Sequence, residues 1–576
     1  MNQQPQRVNN LKKIIVAASA GTLIEWYDFF LFGSLATILS TEFFPADNSG
    51  AALLATLATF AAGLVVRPFG ALVFGRMGDK MGRKSTFLIT LSIMGLSTIA
   101  IGLVPGYKSI GFLAPLIILL LRLLQGLALG GEYGGATIYV AEHTEPDKRG
   151  SHTAWLQSTT GLAFILSLMV ILLIKSRMPE QDWLAWGWRI PFLLSAILLG
   201  ISLYMRFKLS ESPLFLQAKS EKILSKNPLI ESFTKKDNLK TILIAFLGLT
   251  IGGGVIGWVG FYAQSFLLHT VKISYDQANE IIIIGILMGI PFFLFFGWLS
   301  DKIGSKGIIL CGMFLGLITF KPAFNAMYQI PTKRILANIE EISHGKHTST
   351  NKEFTDFRLV DGTLFHFDSK VAPTVQSLEN HSYDAVTLNR GDKWRLIMIN
   401  FLIEFIFTMV YAPMAAYLIN LFPLRIRYTA LSVPYHLGFG IIGGLSPYFA
   451  TFMVEKARIA EKNDFYLSGL IYPLMVIAIN ILIGLLYLRD EKSIFSRKLN
   501  YTINLNPVRK WLGLLWILLS ITIAWIGWVN AGIPKMFSGH QVDIVFGCII
   551  TFIITPVAAG SLFLFGKFAL EDSYKY

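Results

Sequence analysis

The chain has 576 residues, 53% of them hydrophobic and only 15% charged, with 44 Phe, 50 Gly and a mean hydropathy of +0.56. Soluble domains carry about 25% charged residues, so a soluble multidomain enzyme, a disordered chain and a disulfide scaffold are excluded and most of the chain belongs in lipid. The net charge of +14 reads as basic loops beside anionic lipid rather than a nucleic-acid surface, and Cys311 and Cys548, in separate apolar runs, suggest neither a disulfide framework nor a metal site.

Crossing a bilayer takes roughly 17–25 helical residues. In chain order, apolar stretches of that length predict spans near 14–39, 51–75, 85–104, 113–141, 152–174, 190–207, 240–269, 278–299, 307–326, 395–420, 428–453 and 466–488. A final pair lies near 510–531 and 542–566. The expected fold is therefore an all-α polytopic membrane protein of twelve plus two spans. With the N-terminus inside, the segments assigned to the cytoplasm hold 29 Lys/Arg, against 9 in the short external segments and 9 in the long external segment 327–395. That bias predicts cytoplasmic N- and C-termini. The first span is too long, and with Glu25 and Asp28 too acidic, to be a cleavable signal.

Charges within spans cost about 2.5–3.5 kcal/mol each even on insertion scales, so each needs a reason. In the first span Glu25 and Asp28 are three residues apart and share a helix side. In the fourth, Arg122, Gln125, Glu132 and Tyr133 fall within one arc of about 100°. Beside them Gly126, Gly130 and Gly134 form a stripe that lets another backbone approach. A permanently charged arginine needs an acid or an anionic ligand, and Glu25, Asp28 and Glu132 are the available partners. A desolvated carboxylate near an arginine is also what proton coupling requires; a fixed ion-pair lock between helices is the alternative.

An internal repeat follows the second and eighth spans. Gly75–Lys84 reads GRMGDKMGRK and Gly297–Lys306 reads GWLSDKIGSK, so span two of one six-span half corresponds to span two of the other. The glycines permit a tight turn, while Asp79 and Arg83 can pair across helices or cap a neighbouring helix. This is gating chemistry, and Gly75, Asp79, Arg83 and Asp301 are its candidate residues. No phosphate loop occurs anywhere in the chain.

Further along, Trp258, Tyr262 and Gln264 are candidate cavity residues of the seventh span. Residues 327–395 are polar and near neutral, and Phe357–Phe367 places Asp361-Gly362 between β-prone runs, a hairpin signal. His344-Gly-Lys-His347 is too short a metal signal, and surface histidines are expected there. Glu404 in the tenth span is a candidate second-half proton site, or else pairs with a neighbouring base. His436, near Tyr428, Ser432 and Tyr435, is a candidate substrate ligand, or else a packing histidine. The last two spans, with Trp511, Trp516, Trp525 and Trp528, read as a packing or lipid-facing appendage.

Taken together, Gly21-Thr-Leu-Ile-Glu25-Trp-Tyr-Asp28, Arg67-Pro68-Phe-Gly70, GRMGDKMGRK, Arg122 through GGEYGGA, Trp186-Gly-Trp-Arg-Ile-Pro191-Phe and Glu211-Ser-Pro213 resemble the metabolite:proton symporter family of the major facilitator superfamily. Tyr411-Ala-Pro413-Met-Ala-Ala-Tyr417 and Phe422 through Ser432 extend the resemblance into the second half, so that it covers roughly 10–325 and 395–490. It implies the major facilitator fold, twelve core helices in two six-helix bundles, with alternating access about a central cavity. It also implies proton-coupled uptake of a small organic acid or zwitterion across a bacterial inner membrane. By matching motif, Glu25, Asp28, Arg122, Gln125 and Glu132 become cavity or coupling residues, and Asp79 and Arg83 stabilise one access state. Asn420 stands where similar proteins commonly have an acid, and Ser305 replaces the expected base of the second repeat. The 490–576 segment lacks the sustained heptads of the osmosensing branch.

The expected organisation is an N-terminal bundle 1–208, a cytoplasmic loop 209–239, a C-terminal bundle 240–490 interrupted by a small external β-containing insertion 327–394, and 491–576 as a linker with two further helices. The expected function is symport with no cofactor beyond the proton gradient, by a monomer whose partners are a small-molecule substrate, protons and the bilayer, with no nucleic acid. A rival reading is a transporter-derived sensor that uses the insertion and the C-terminal helices. A membrane-bound enzyme finds no nucleophile–base set, metal cluster or nucleotide loop.

Overall fold

The computed structural model describes residues 4–44, 49–332, 339–346, 353–368, 383–489, 506–537 and 550–571. The N-terminal bundle contains α1 (Gln4–Ser34), α2 (Ser49–Met81), α3 (Arg83–Leu103), α4 (Leu113–Glu142), α5 (Arg149–Lys175) and α6 (Ile190–Phe207). The C-terminal bundle contains α7 (Lys236–Thr270), α8 (Tyr275–Ile303), α9 (Ser305–Thr332), α10 (Arg390–Leu421), α11 and α12 (Ile471–Tyr487). In α11, Arg427–Tyr435 passes through a π-helical stretch, His436–Gly443, into Ser446–Ile459. The added pair is α13 (Asn506–Trp525) and α14 (Ile550–Leu570). Twelve helices among the described residues are long and apolar enough to cross a membrane; α2 and the interrupted α11 make up the expected fourteen.

Glycine spacing sets how closely these helices pack. A β-carbon on Gly126 would lie 2.0 Å from Gly63 O, and one on Gly130 would lie 2.1 Å from Arg67 O, so α2 and α4 meet backbone to backbone. A β-carbon on Gly134 of the same stripe would lie 2.0 Å from Ser432 Oγ, across the bundle seam. Gly126→Val is therefore expected to force α2 and α4 apart, at the roughly 1–3 kcal/mol typical of overpacking or more. A lowered melting temperature and a broadened size-exclusion peak in detergent are the readouts.

The seam runs between α2 and α11 and between α5 and α8, pairs that exchange under the internal repeat. The turns after α2 and α8 correspond in detail, since Gly82 has φ +112° and Gly304 φ +91°, conformations that glycine adopts without strain. We call the side carrying these turns the loop face and the opposite side the insertion face.

The insertion is a four-stranded antiparallel sheet, β1 (Ile339–Lys346), β2 (Glu353–Leu359), β3 (Leu364–Phe367) and β4 (Ala385–Thr387), in that order. The expected hairpin joins β2 and β3, with Phe357 opposite Phe365 and Gly362 at φ +85° in its turn. Val386 exchanges backbone bonds with the α7–α8 turn, Ser274 N to Val386 O at 2.8 Å and Val386 N to Lys272 O at 2.8 Å. Gln277 clasps both backbone groups of Leu388, at 2.7 and 2.8 Å. The insertion is narrower than expected. Helix α9 continues to Thr332, and α10 begins at Arg390 because the Asn389 side chain caps it by accepting from Asp392 N at 3.0 Å. His344 bonds Thr355 Oγ1 at 3.1 Å, as a surface histidine does, while His347 and Cys548 lie outside the described residues.

Helices α13 and α14 form a hairpin closed by Gly513 against Gly566 and by Ser520 Oγ donating to Ala559 O at 2.7 Å. It leans on the bundle through a Lys236–Glu571 ion pair at 2.6 Å and through Phe565 against Tyr487. Trp511 and Trp525 face outward while Trp516 is buried, so both halves of the appendage reading apply.

Candidate functional site

On the loop face, α2 ends in the first repeat and its acid crosses the seam. Asp79 accepts from Tyr428 N at 3.2 Å, Thr429 N at 3.0 Å and Thr429 Oγ1 at 2.9 Å, capping the start of α11. A carboxylate there satisfies otherwise unpaired N–H groups and complements the positive helix end. Gly75 makes the approach possible, because its β-carbon would lie 3.0 Å from Thr429 Cα. The second repeat does the same in reverse. Asp301 accepts from Gly150 N at 2.7 Å, Ser151 N at 2.8 Å and the Ser151 hydroxyl, capping the start of α5.

Around these caps lies a charged cluster. Arg83 contacts Glu142 at 3.3 Å and Asp79 at 3.7 Å, and Arg427 meets the same Glu142 at 3.4 Å from the other bundle. Arg149 donates to Asn420 Oδ1 at 2.6 Å, so the amide that stands in place of an acid still links the bundles. Tyr428 OH reaches Gly131 O at 2.6 Å. The loop face is closed.

Behind this seal lie the intramembrane charges, and their pairing differs from expectation. Glu132 pairs with Arg206 at 2.6 Å, and Glu25 stands 3.8 Å from the same guanidinium. Thr90 and Thr22 approach the Glu132 carboxylate at 3.3 and 3.5 Å, and Phe87 lies 3.8 Å beneath the Arg206 guanidinium. Gly21 makes room, since a β-carbon there would fall 1.9 Å from Arg206 Nη2. Arg206 sits in the last turn of α6, beside the basic loop that follows. Its long side chain turns inward.

Arg122 does not take the acid expected for it. Nη1 donates to Gln125 Oε1 at 2.7 Å, Nε and Nη2 have no hydrogen-bond partner, and the rings of Phe29, Phe32 and Phe60 surround it at 4.5–4.9 Å. Those faces replace a carboxylate, and Glu132 has already been claimed by Arg206. Gln125 passes the contact on to Thr98 Oγ1 at 2.7 Å, whose hydroxyl donates to Met94 O at 3.0 Å. Asp28 accepts from Ser195 Oγ at 2.5 Å, while its Oδ2 has no hydrogen-bond partner among the described residues. Glu25 and Asp28, on one side of α1, therefore serve different neighbours. Ser195 and Thr98 carried no sequence signal beyond being hydroxyls in apolar helices.

Two cavities open along the seam on the insertion side of the seal. The larger, about 500 Å³ with its opening to the outside included, lies between Phe30, Thr160 and Phe164 of one bundle and Phe261, Gln264, Phe293, Glu404 and Phe407 of the other. Glu404 is the one charged side chain among its described walls, with Gly260 and Gly289 making space for it. The smaller, about 210 Å³, is lined by Thr22, Trp26, Tyr133, Thr137, Gln157 and Tyr411 among others. Of the seventh-span candidates only Gln264 reaches a cavity. Tyr262 points into its own bundle and stacks on Phe324 at 5.2 Å, and Trp258 donates to Phe439 O at 3.0 Å. The cavity face of α7 is instead Gly257, Gly260, Phe261 and Gln264, the i, i+3, i+4, i+7 set. His436 is buried beside Tyr435 and Tyr133, and neither ring nitrogen has a partner.

A family model described as "Sugar (and other) transporter" matches residues 13–243, and one for a family of unknown function matches 505–576. A glycine betaine/proline/ectoine/pipecolic acid transporter of Dickeya dadantii (strain 3937) is 33% identical over 486 residues, covering 83% of this chain and 82% of that protein. A proline/betaine transporter of Escherichia coli (strain K12) is 32% identical over 465 residues, covering 79% of this chain and 80% of that one. Among solved structures, a proton:xylose symporter of the major facilitator superfamily bound to 6-bromo-6-deoxy-D-glucose superposes with a TM-score of 0.60 at 18% identity, covering 84% of this chain and 97% of that one. The xylose transporter from E. coli in a partially occluded inward-open form gives 0.54 at 17% identity, covering 84% and 99%. Both agree in fold.

Proposed function

We propose that this chain, which belongs to the metabolite:proton symporter family of the major facilitator superfamily, imports a small carboxylate-bearing metabolite, an organic acid or a zwitterion, together with protons. The loop face is its cytoplasmic side and the membrane is a bacterial inner membrane. One observation carries the coupling: a single buried arginine, Arg206, serves two buried carboxylates, Glu132 and Glu25. With one cation for two acids, the cluster is electrically neutral only when it holds one proton, and a buried uncompensated charge is costly. Asp28, held by the Ser195 hydroxyl rather than by a cation, is a second place for a proton. The positive charge of Arg122, which bonds Gln125 and through it Thr98, favours the arrival of an anionic substrate. Relatives named for proline and betaine support a zwitterion, and a cavity with Glu404 as its charged wall has a place for the positive end.

The test is uptake by full-length protein in sealed proteoliposomes under an imposed inward proton gradient, with L-proline, glycine betaine, citrate, α-ketoglutarate and shikimate as radiolabelled probes. At least one accumulates above its external concentration, and a protonophore abolishes the accumulation. Asp28→Asn keeps an acceptor for Ser195 but no titrating acid, so gradient-driven accumulation falls at least about tenfold while substrate counterflow persists. Accumulation of none of the probes contradicts the reading, and undiminished accumulation by Asp28→Asn removes Asp28 from it.

A further inference from the structure

We propose that Arg67 and His436 form the carboxylate-binding site of this transporter, placed across the seam between the bundles; the assignment rests on the symport reading above. Arg67 belongs to α2 and is 1% exposed, yet its Nε and Nη2 have no hydrogen-bond partner among the described residues. Those two nitrogens share one edge of the guanidinium, the edge whose parallel N–H groups match the two oxygens of a carboxylate. A buried charge with that edge unused calls for an anion.

The side chain reaches the other bundle. A β-carbon at Gly440 of α11 would lie 3.5 Å from Arg67 Cδ and 3.9 Å from His436 Cβ, so the arginine and the histidine flank one glycine. His436 is 1% exposed with both ring nitrogens unpartnered, so it has a donor and an acceptor to offer. The π-helical stretch His436–Gly443 starts at this residue, and such interruptions are frequent at functional sites. Trp26 and Tyr411 are both walls of the smaller cavity, and the Trp26 ring lies 5.2 Å from the Arg67 guanidinium.

Arg122 strengthens the site without touching it. The Phe29 ring lies 4.5 Å from the Arg67 guanidinium and 4.8 Å from that of Arg122, so one ring carries two positive charges. Arg122 is enclosed by its own bundle, whereas Arg67 faces the opposite one. A carboxylate held between Arg67 and His436 neutralises buried charge and joins α2 to α11, so substrate binding and closure of the seam become one event.

The test takes the best-transported probe from the panel above and measures half-saturation in proteoliposomes, together with competition by the amide of the same compound. Wild type prefers the carboxylate. Arg67→Gln raises half-saturation roughly 30-fold, the scale of a lost charged hydrogen-bond pair, and brings carboxylate and amide to within about threefold of each other. Arg67→Lys keeps the preference at weaker affinity, and His436→Gln weakens both ligands with the preference reduced. A merely structural role would lower the maximal rate and leave the carboxylate-to-amide ratio unchanged, which overturns the assignment while symport stands. Where Arg67→Gln does not fold, an unchanged ratio in both Arg67→Lys and His436→Gln overturns it equally. If no probe enters wild-type vesicles, the symport reading fails and the site fails with it.

Discussion

Arg206→Met is expected to destabilise the N-terminal bundle severely and to abolish transport. The substitution leaves Glu25 and Glu132 facing each other in a dry interior, where removing one partner of a buried ion pair costs about 3–5 kcal/mol. Glu132 loses its 2.6 Å contact and Glu25 its only neighbouring cation within 4 Å among the described residues. The melting temperature in detergent should fall steeply. Arg206→Met with Glu132→Met removes the cation and one of the two acids, so that Glu25 is left uncharged by holding a proton, and apolar replacements of buried pairs are often neutral or better. The double variant should recover folding and remain unable to accumulate substrate. Gly21→Ala reaches the same cluster by steric means, since its β-carbon would occupy the place of Arg206 Nη2. Full stability and full transport in Arg206→Met would show the cluster to be incidental.

The second large effect concerns the loop-face seal. Asp79→Asn replaces a carboxylate that accepts three bonds from α11 with an amide whose NH2 confronts donors. Hydrogen bonds to a charged group contribute about 1.5–3 kcal/mol each, so losing even one shifts the balance between access states by roughly 10- to 150-fold toward loop-face opening. Ser432, fully buried and packed against Gly134 at the seam, reports this directly. In a Ser432→Cys background, maleimide labelling from the loop face should accelerate at least tenfold on adding Asp79→Asn, and gradient-driven uptake should fall in parallel. Asp301→Asn, which loosens the equivalent cap on α5, should produce the same change, and the double variant a greater one. Labelling that stays slow in all three would mean that these acids do not hold the seal.

Much of this architecture was legible before any coordinates. Apolar run lengths are set by bilayer thickness, so the spans and the twelve-plus-two plan follow from counting. The Gly126, Gly130, Gly134 stripe and the two repeats could be read because backbone proximity and tight turns select glycine almost uniquely. Side-chain partners were less legible. Glu25, Asp28, Glu132 and Arg122 stand out as charges in oil, but which acid meets which base depends on helix rotation and on chain ends. Arg206 does not stand out as a charge in oil because α6 ends beside it. The signal that points to it is an imbalance, three acids in the first and fourth spans, Glu25, Asp28 and Glu132, against Arg122 as their one cation. Tyr262 and Phe261 illustrate rotation, since one residue is about 100° of helix and decides between the bundle interior and the cavity. The rings around Arg122 come from α1 and α2 at spacings that also suit ordinary packing, so periodicity cannot separate a cation's cage from a core.

In the proposed symport, protons and substrate move together through a seam sealed on the loop face. A proteoliposome loaded with pyranine, held without any initial pH difference, reports this when the transported probe is added outside. The lumen should acidify as labelled substrate enters, with both signals lost in Arg206→Met with Glu132→Met. Entry of substrate down its gradient with no change of internal pH would contradict it.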